Sequence, residues 1–314
     1  MPYPSLVPVG KTARRVEWVH LPPTVRAAVE QRLGSSVVTA ESRTSGYTPG
    51  FASVLTTEDG RRAFVKAAST QAQRAFAEAY REEARKVAAL PDVTPAARLE
   101  WTLDVDGWFA LCLEHVESRQ PRRPWQQPEL DASLDALEIV ADALTPPPAA
   151  LELDTLAEEF AAFPGYWDYL RIRLRGRDHL EEASALAARY EEVVGGDTLV
   201  HSDVRDDNVL LRPDGTAIFC DWNFPCLGAD WVDSLLMLVG PRGDGLDVEA
   251  VIASRRLLRD VPPESIDIVL ALVTGYFHRQ ADEPVPPTSP HLRDHQRWQG
   301  DVCWDWLQER RGWS

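Results

Sequence analysis

Residues 201–211 read HSDVRDDNVLL, and residues 218–224 read IFCDWNF. Three acids, an arginine and an asparagine stand directly before an apolar run, and a further aspartate closes the next one. Polar side chains gathered at strand ends belong to turns or to a chemical site. Asp214-Gly215 supplies a two-residue turn between strands predicted at 209–212 and 216–220. A hairpin closed there returns Asp221 to the side of Asn208, thirteen positions earlier in the chain. An amide oxygen and a carboxylate converging at one point suit Mg²⁺ with retained waters and phosphate oxygens. Asp203 stays free to accept a hydrogen bond from a substrate hydroxyl. His201 is expected to brace the loop through backbone hydrogen bonds rather than to do acid–base chemistry. The competing reading is an acidic surface turn, and the spacing H-x-D-x-x-x-x-N followed by a strand ending in Asp weighs against it.

A second signal lies upstream. Of the 33 basic residues only Lys11, Lys66 and Lys86 are lysines, and Lys66 sits inside the apolar strand Ala63–Ala68. Strand alternation puts it on the face of Phe64, away from Val65. An ammonium buried there needs an anion. The alternatives are an edge-strand lysine reaching water, or one paired with a carboxylate and aimed at phosphate oxygens. The following helix, predicted over Thr70–Leu90, carries Glu78, Glu82 and Glu83. Upstream, Ser45–Ala52 joins two strands with Gly46 and Gly50, a loop able to lay backbone N–H groups against phosphates.

Working outward, the glycine-separated β-branched runs of 36–68 predict three strands. Two more are expected at Leu99–Val105 and Trp108–Glu114, turning at Asp106-Gly107. A short helix is predicted at Val25–Leu33, behind a loose arm over Pro2–Arg15. Past the Pro/Arg-rich connector ESRQPRRPWQQP, helices dominate: 129–144, 153–162, 167–175, 179–194, then 230–240, 247–259, 264–278 and 291–310. The pattern describes an α+β chain in two lobes, a five-stranded antiparallel sheet with one helix followed by a mostly helical part. We place the boundary between residues 1–116 and 117–314.

Composition narrows the partners. The chain has 314 residues and a formal net charge of −16, with 44% apolar and 26% charged residues. That charge argues against nucleic acid, whose phosphates need clustered Lys and Arg, and tolerates cationic small molecules. No run approaches the ~18 apolar residues of a membrane span, and the N-terminal stretch has no apolar leader core. Cys112, Cys220, Cys226 and Cys303 form no C-x-x-C pair; Cys112 and Cys220 sit in strand-like runs as small hydrophobes. A reducing cytoplasm is expected, and a monomer or homodimer.

HSDVRDDN resembles the catalytic loop of the aminoglycoside phosphotransferase-like kinases, relatives of the protein kinases, and CDW resembles their metal-binding aspartate. The resemblance takes in FVKAA, a helical glutamate, LCLEHVESRQP as the interlobe hinge and GADWVDSLLML, and spans roughly residues 36–310. It implies a bilobal protein-kinase-like fold and an ATP-dependent small-molecule kinase, with GTP as the alternative donor. Lys66 would hold the α/β-phosphates and pair with Glu83, or with Glu82 if the helix phase differs. Asp203 would orient and deprotonate the acceptor hydroxyl, and Asn208 and Asp221 would hold Mg²⁺. Backbone groups of Glu114 and Val116 would meet the adenine edge. Arg205 would touch the transferring phosphate, or else form a surface salt bridge with Asp206 or Asp207.

The departures from the pattern are informative. Ser202 stands where many relatives have glycine, and Asp-Trp-Asn replaces Asp-Phe-Gly. GADWVDS follows within seven residues of Asp221, which leaves no room for an activation loop and favours a small acceptor over a protein. The acceptor is expected to be cationic or sugar-containing: an antibiotic or related natural product, with resistance or self-resistance as the role. An amino alcohol or sugar metabolite is the second reading, and an inactive nucleotide-binding scaffold the third. The C-terminal helices carry Trp298, Trp304 and Trp306 among Asp294, Asp301, Asp305 and Glu309. They are read either as acceptor walls or as core and solvated face. His291 and His295, spaced i, i+4, are too few for a metal without a third ligand.

Overall fold

A computed structural model describes Ser5, Val7, Pro8, Gly10, and residues 12–47 and 50–313. Lys11, Thr48 and Pro49 lie outside the described residues, and with them the middle of the predicted glycine loop. The N-terminal part is a sheet of β1 (Val37–Ser42), β2 (Phe51–Thr57), β3 (Arg62–Ser69), β4 (Leu99–Val105) and β5 (Trp108–Glu114). Its order is β1-β2-β3-β5-β4, antiparallel throughout. Val65, Ala67, Ala110 and Cys112 pack on one face against Val29 and Leu33 of α1 (Pro23–Leu33). Leu111, Leu113 and Ala68 on the other face meet Ala77, Tyr80, Ala84 and Val87 of α2 (Arg74–Ala89). The central strands are covered on both faces, which explains their near-continuous apolar runs. The expected single helix is thus one of two that sandwich the sheet.

The described part of the predicted loose arm is tied down. The Thr12 and Ala13 N–H groups both donate to the Thr44 carbonyl (2.9 Å each), and the Val16 N–H donates to Gly50 (3.1 Å). Arg14 N–H reaches across to the Thr288 carbonyl (2.8 Å).

The C-terminal part runs α3 (Gln127–Ala143), α4 (Leu156–Glu159), α5 (Tyr166–Arg173), α6 (Leu180–Ala187), α7 (Glu191–Val194), β6 (Thr198–Val200), β7 (Val209–Leu211), β8 (Ala217–Phe219), β9 (Cys226–Gly228), α8 (Val232–Met237), α9 (Val239–Gly243), α10 (Val248–Ser254), α11 (Pro263–Ala281) and α12 (Leu292–Arg311). α11 and α12 pack together along their lengths, and Ile268, Leu270, Leu272, Cys303 and Leu307 are buried between neighbours. The helix expected over 179–194 breaks between α6 and α7, where Tyr190 turns inward and its hydroxyl donates to the Ala157 carbonyl (3.0 Å). The segment expected over 230–240 likewise divides into α8 and the start of α9.

Two small ladders frame the quoted stretch. β7 and β8 pair as predicted, Val209 opposite Phe219, around a turn in which Gly215 takes φ 87°. β6 pairs with β9, Thr198 opposite Gly228, a ladder that the short TLV and CLG runs did not advertise. The hinge segment joins the hairpin through Arg119 and Leu211, whose N–H and carbonyl groups exchange bonds of 3.0 and 2.8 Å. No helix among the described residues is long and apolar enough to cross a membrane. The four cysteines are free; Cys220 is half-buried, since it lies just past the end of β8.

Candidate active site

β3 carries Lys66 toward α2, and the ammonium meets the carboxylate of Glu83 at 2.7 and 2.8 Å. Glu83 is fully buried, whereas Glu82 points outward to Arg85 at 2.9 Å. The helix phase therefore selects Glu83. The second partner of Lys66 is Asp221, whose Oδ1 lies 2.8 Å from Nζ. Burial alone would lower the Lys66 ammonium; the carboxylates of Asp221 and Glu83 outweigh it and hold it well above the usual lysine range. Burial likewise raises Asp221, but the Lys66 charge overrides it and keeps the carboxyl below its ordinary value.

The hairpin sets Asp221 beside Asn208. The Cys220 N–H donates to the Asn208 carbonyl (3.0 Å), and Asn208 itself is buried. The Asn208 amide nitrogen donates to the Asp203 carbonyl (2.8 Å) and to Asp203 Oδ2 (3.1 Å), which turns the amide oxygen the other way. Lys66 and Asn223 both donate to Oδ1 of Asp221, and Oδ2 has no hydrogen-bond donor among the described residues. One amide oxygen and one carboxylate oxygen are thus left over, a hard-oxygen donor set that fits Mg²⁺. No cluster of three His, Cys, Asp or Glu suited to a metal occurs among the described residues, so His291 and His295 gain no third ligand.

Asp203 is held between two neighbours. Arg205 Nη1 contacts its Oδ1, and Arg205 Nε reaches Asp207 Oδ1 at 2.9 Å. Burial pushes the Asp203 carboxyl up to about 6, against the pull of the Arg205 guanidinium. Of the two readings of Arg205, a salt bridge does form with Asp207, but it is an inward one at the catalytic loop: only 21% of the Arg205 side chain is exposed. Asp206 pairs instead with Arg123 at 2.8 Å.

The loop's backbone is fixed from below. Asp233 at the start of α8 accepts from the His201 N–H (2.6 Å) and the Ser202 N–H (2.9 Å). Burial lowers the His201 imidazole, which contacts the Cys220 carbonyl through Nε2 (2.9 Å) and packs edge-on against Trp222. His201 is the brace its position predicted. Ser202 adopts φ 62° and Asp221 φ 68°, left-handed values that side chains adopt at a cost. Glycine would be unstrained at 202; here the serine hydroxyl donates to the Phe224 carbonyl (2.6 Å).

At the glycine loop, Gly46 and Gly50 take φ 82° and 127°. A Cβ on Gly50 would meet the Tyr80 hydroxyl at 3.0 Å and the Ala67 carbonyl at 3.3 Å, so a side chain there is crowded as well as strained by its φ. The Gly46 carbonyl accepts from the Thr12 hydroxyl (2.7 Å). In the hinge, the Glu114 N–H is already given to the Arg98 carbonyl (2.9 Å), while the Val116 carbonyl accepts from the Ser118 hydroxyl (3.0 Å). The Val116 N–H has no partner among the described residues.

A cavity of about 560 Å³ opens beside the 203–208 loop, lined by Tyr47, Gln120, Arg123, Asp206, Asp207, Asp244 and His295 together with arm residues Ser5, Val7, Pro8, Gly10 and Thr12. Arg123 forks between Asp206 and Asp244 (2.8 and 2.7 Å). Trp304 and Trp306 are core residues, and Asp305 and Glu309 pair with Arg242. Of that helix, His295 reaches the cavity, and Trp298 lies just behind it with Arg205. Asp233, Arg123 and Asp244 escaped sequence reasoning because each finds its partner only through the tertiary fold. The one available signal for Asp233 was its place in GADWVDS.

Comparisons with known proteins bear on the family and the fold. A family model described as the phosphotransferase enzyme family, APH, matches residues 45–263, more than half of the chain. No curated protein matches it in sequence. Among solved structures, an aminoglycoside phosphotransferase from Alicyclobacillus acidocaldarius is similar at 15% identity and a TM-score of 0.54, covering 88% of this chain and 92% of that one. The aminoglycoside phosphotransferase APH(4)-Ia, in ternary complex with ADP and hygromycin B, shares 13% identity at a TM-score of 0.59, with coverage of 91% and 98%. The choline kinase LicA from Streptococcus pneumoniae shares 14% at 0.58, with coverage of 88% and 97%. At these identities the likeness is one of fold, and the fold is the bilobal, protein-kinase-like one. With that model matched over residues 45–263, the chain belongs to the phosphotransferase enzyme family.

Proposed function

We propose that the chain is an ATP-dependent kinase that transfers the γ-phosphoryl group to a hydroxyl of a small molecule, with GTP as the alternative donor. The observation that carries this reading is the meeting of Lys66, Glu83 and Asp221, drawn from three separate elements, within 2.8 Å. A buried lysine shared by two carboxylates is costly unless it serves a ligand. Residues 1–116 would bind the nucleotide, and residues 117–314 would supply the catalytic loop and the acceptor wall. Lys66 would bind the α/β-phosphates, with Glu83 fixing its reach. Gly46 and Gly50 shape the loop above them. Of the two hinge positions, Val116 retains a backbone N–H for the adenine edge, while Glu114 has only its carbonyl to offer. Asn208 and Asp221 would hold Mg²⁺, which when bound supplies charge neutralisation to the β- and γ-phosphates. Asp203 would orient the acceptor hydroxyl and take its proton at the carboxylate, and Arg205 would shift from Asp203 toward the transferring phosphate. Positioning and charge carry most of such a reaction.

The proposed acceptor is an antibiotic or related natural product, in keeping with the hygromycin B bound by one structural neighbour. Among the described residues that line the cavity, three carboxylates face one guanidinium, which supports a cationic ligand. The choline kinase neighbour and the same acidic lining support an amino alcohol as the second reading. The test is a mass-spectrometric screen of antibiotics and amino alcohols with Mg·ATP. The expected result is the gain of one phosphoryl group on one chemical class with wild type and none with Asp203→Asn. Equal products from both proteins would remove the assignment.

A further inference from the structure

Rings and guanidinium groups stack in one row beside the catalytic loop. The Arg205 guanidinium lies 5.7 Å from the centre of the Tyr47 ring. Tyr47 stacks on His295 at 5.6 Å, and His295 on Trp298 at 5.9 Å, with interplanar angles of 29° and 25°. The Arg123 guanidinium then lies 4.7 Å from the centre of a Trp298 ring. Cations over aromatic faces and offset ring pairs attract one another. Both ends of the row return to the catalytic loop, Arg205 to Asp203 and Asp207, and Arg123 to Asp206. The row is therefore closed on itself through residues 203–207.

Its middle members come from distant parts of the chain: Tyr47 from the glycine loop, His295 and Trp298 from α12. Trp298 has no room to move toward α9, because a Cβ on Gly243 would sit 2.3 Å from its ring. His295 is 6% exposed and its Nε2 has no hydrogen-bond partner. Burial lowers its pKa, so the ring is neutral and contributes a flat face rather than a proton. The loop is held down a second time where the Ser289 hydroxyl donates to the Tyr47 carbonyl (2.5 Å).

Resting on the kinase reading above, we propose that Tyr47 and His295 are positioning residues whose stack holds the Arg205 guanidinium in place beside Asp203. Without the Tyr47 ring, Arg205 keeps its carboxylate partners but loses the aromatic face that fixes its plane between them.

The test combines two readouts on the whole chain. In steady-state turnover of Mg·ATP, Tyr47→Ala and His295→Ala each lower kcat by at least ~10-fold while KM for Mg·ATP moves less than ~3-fold. Tyr47→Phe and His295→Phe keep a flat ring and stay within about two-fold of wild type, and the double alanine variant is no worse than about the worse single one. Phenylalanine variants as impaired as the alanine ones, or additive losses, would overturn the proposal. Alanine variants equal to an active wild type would sink the stack alone. A wild type that turns over no Mg·ATP would overturn the kinase reading and the role of the stack with it.

Discussion

Asp203 draws its properties from its two neighbours: Arg205 occupies one carboxylate oxygen and the Asn208 amide the other. In the proposed role, replacing it with Asn preserves shape and removes the base, so turnover is expected to fall by at least ~10²-fold with little change in melting temperature. In that role the deprotonated carboxylate would be the active form, and burial pushes its pKa up to about 6. The rate is therefore full at neutral pH and declines as pH falls through about 6; a pH–rate profile whose acid limb lies near 4 would contradict this. Lys66 makes the opposite kind of prediction. Lys66→Met strands the fully buried Glu83 without a counter-charge and is expected to cost ~3–5 kcal/mol, whereas Lys66→Met with Glu83→Leu regains most of that stability and none of the activity. Urea unfolding of the two variants decides it: a single variant as stable as the double one would contradict a buried ion pair. Lys66 was legible because a lone lysine in an apolar strand is a local anomaly. Arg123 was not, since one arginine in a Pro/Arg-rich connector carries no sign that Asp206 and Asp244 await it more than eighty residues on.

At the scale of elements, the site is a hairpin, a loop and the helix end beneath them. The β7–β8 hairpin brings Asp221 to Asn208, and Asp233 at the head of α8 receives the two backbone N–H groups that would otherwise be orphaned at His201 and Ser202. Asp233→Ala leaves both donors buried without an acceptor and is expected to destabilise the fold by about 2 kcal/mol or more. It should also cost turnover, because the loop's left-handed residue 202 loses its anchor. A variant with wild-type melting and wild-type rate would refute that role. The hairpin and the five sheet strands were readable in advance because alternation, Asp-Gly turns and short spacing are local signals. The β6–β9 ladder was not, since three-residue strands pairing across twenty-five intervening residues leave no local periodicity. The break between α6 and α7 escaped for a similar reason: no Gly or Pro marks it, and the inward turn of Tyr190 decides it.

At the scale of the whole molecule, contacts between the sheet-rich and helical parts meet at the site. Lys66 joins Asp221, Arg14 joins Thr288, Tyr47 meets His295, and the hinge strand runs along β7. A nucleotide that fits between them would stabilise the closed arrangement by mass action, by ~2.7 kcal/mol at a hundred-fold excess over Kd. The bilobal plan was legible in the order of strands and helices, but the closure was not, because no local pattern encodes how two lobes meet. The most direct test of the central claim, that Lys66 and Asp221 share a metal–nucleotide site, is calorimetric titration of the protein with a non-hydrolysable ATP analogue with and without Mg²⁺. Wild type is expected to bind in a Mg²⁺-dependent manner, and Asp221→Asn to bind at least ~10-fold more weakly. Binding by Asp221→Asn as tight as wild type, or the same affinity after Mg²⁺ is chelated, would contradict the claim.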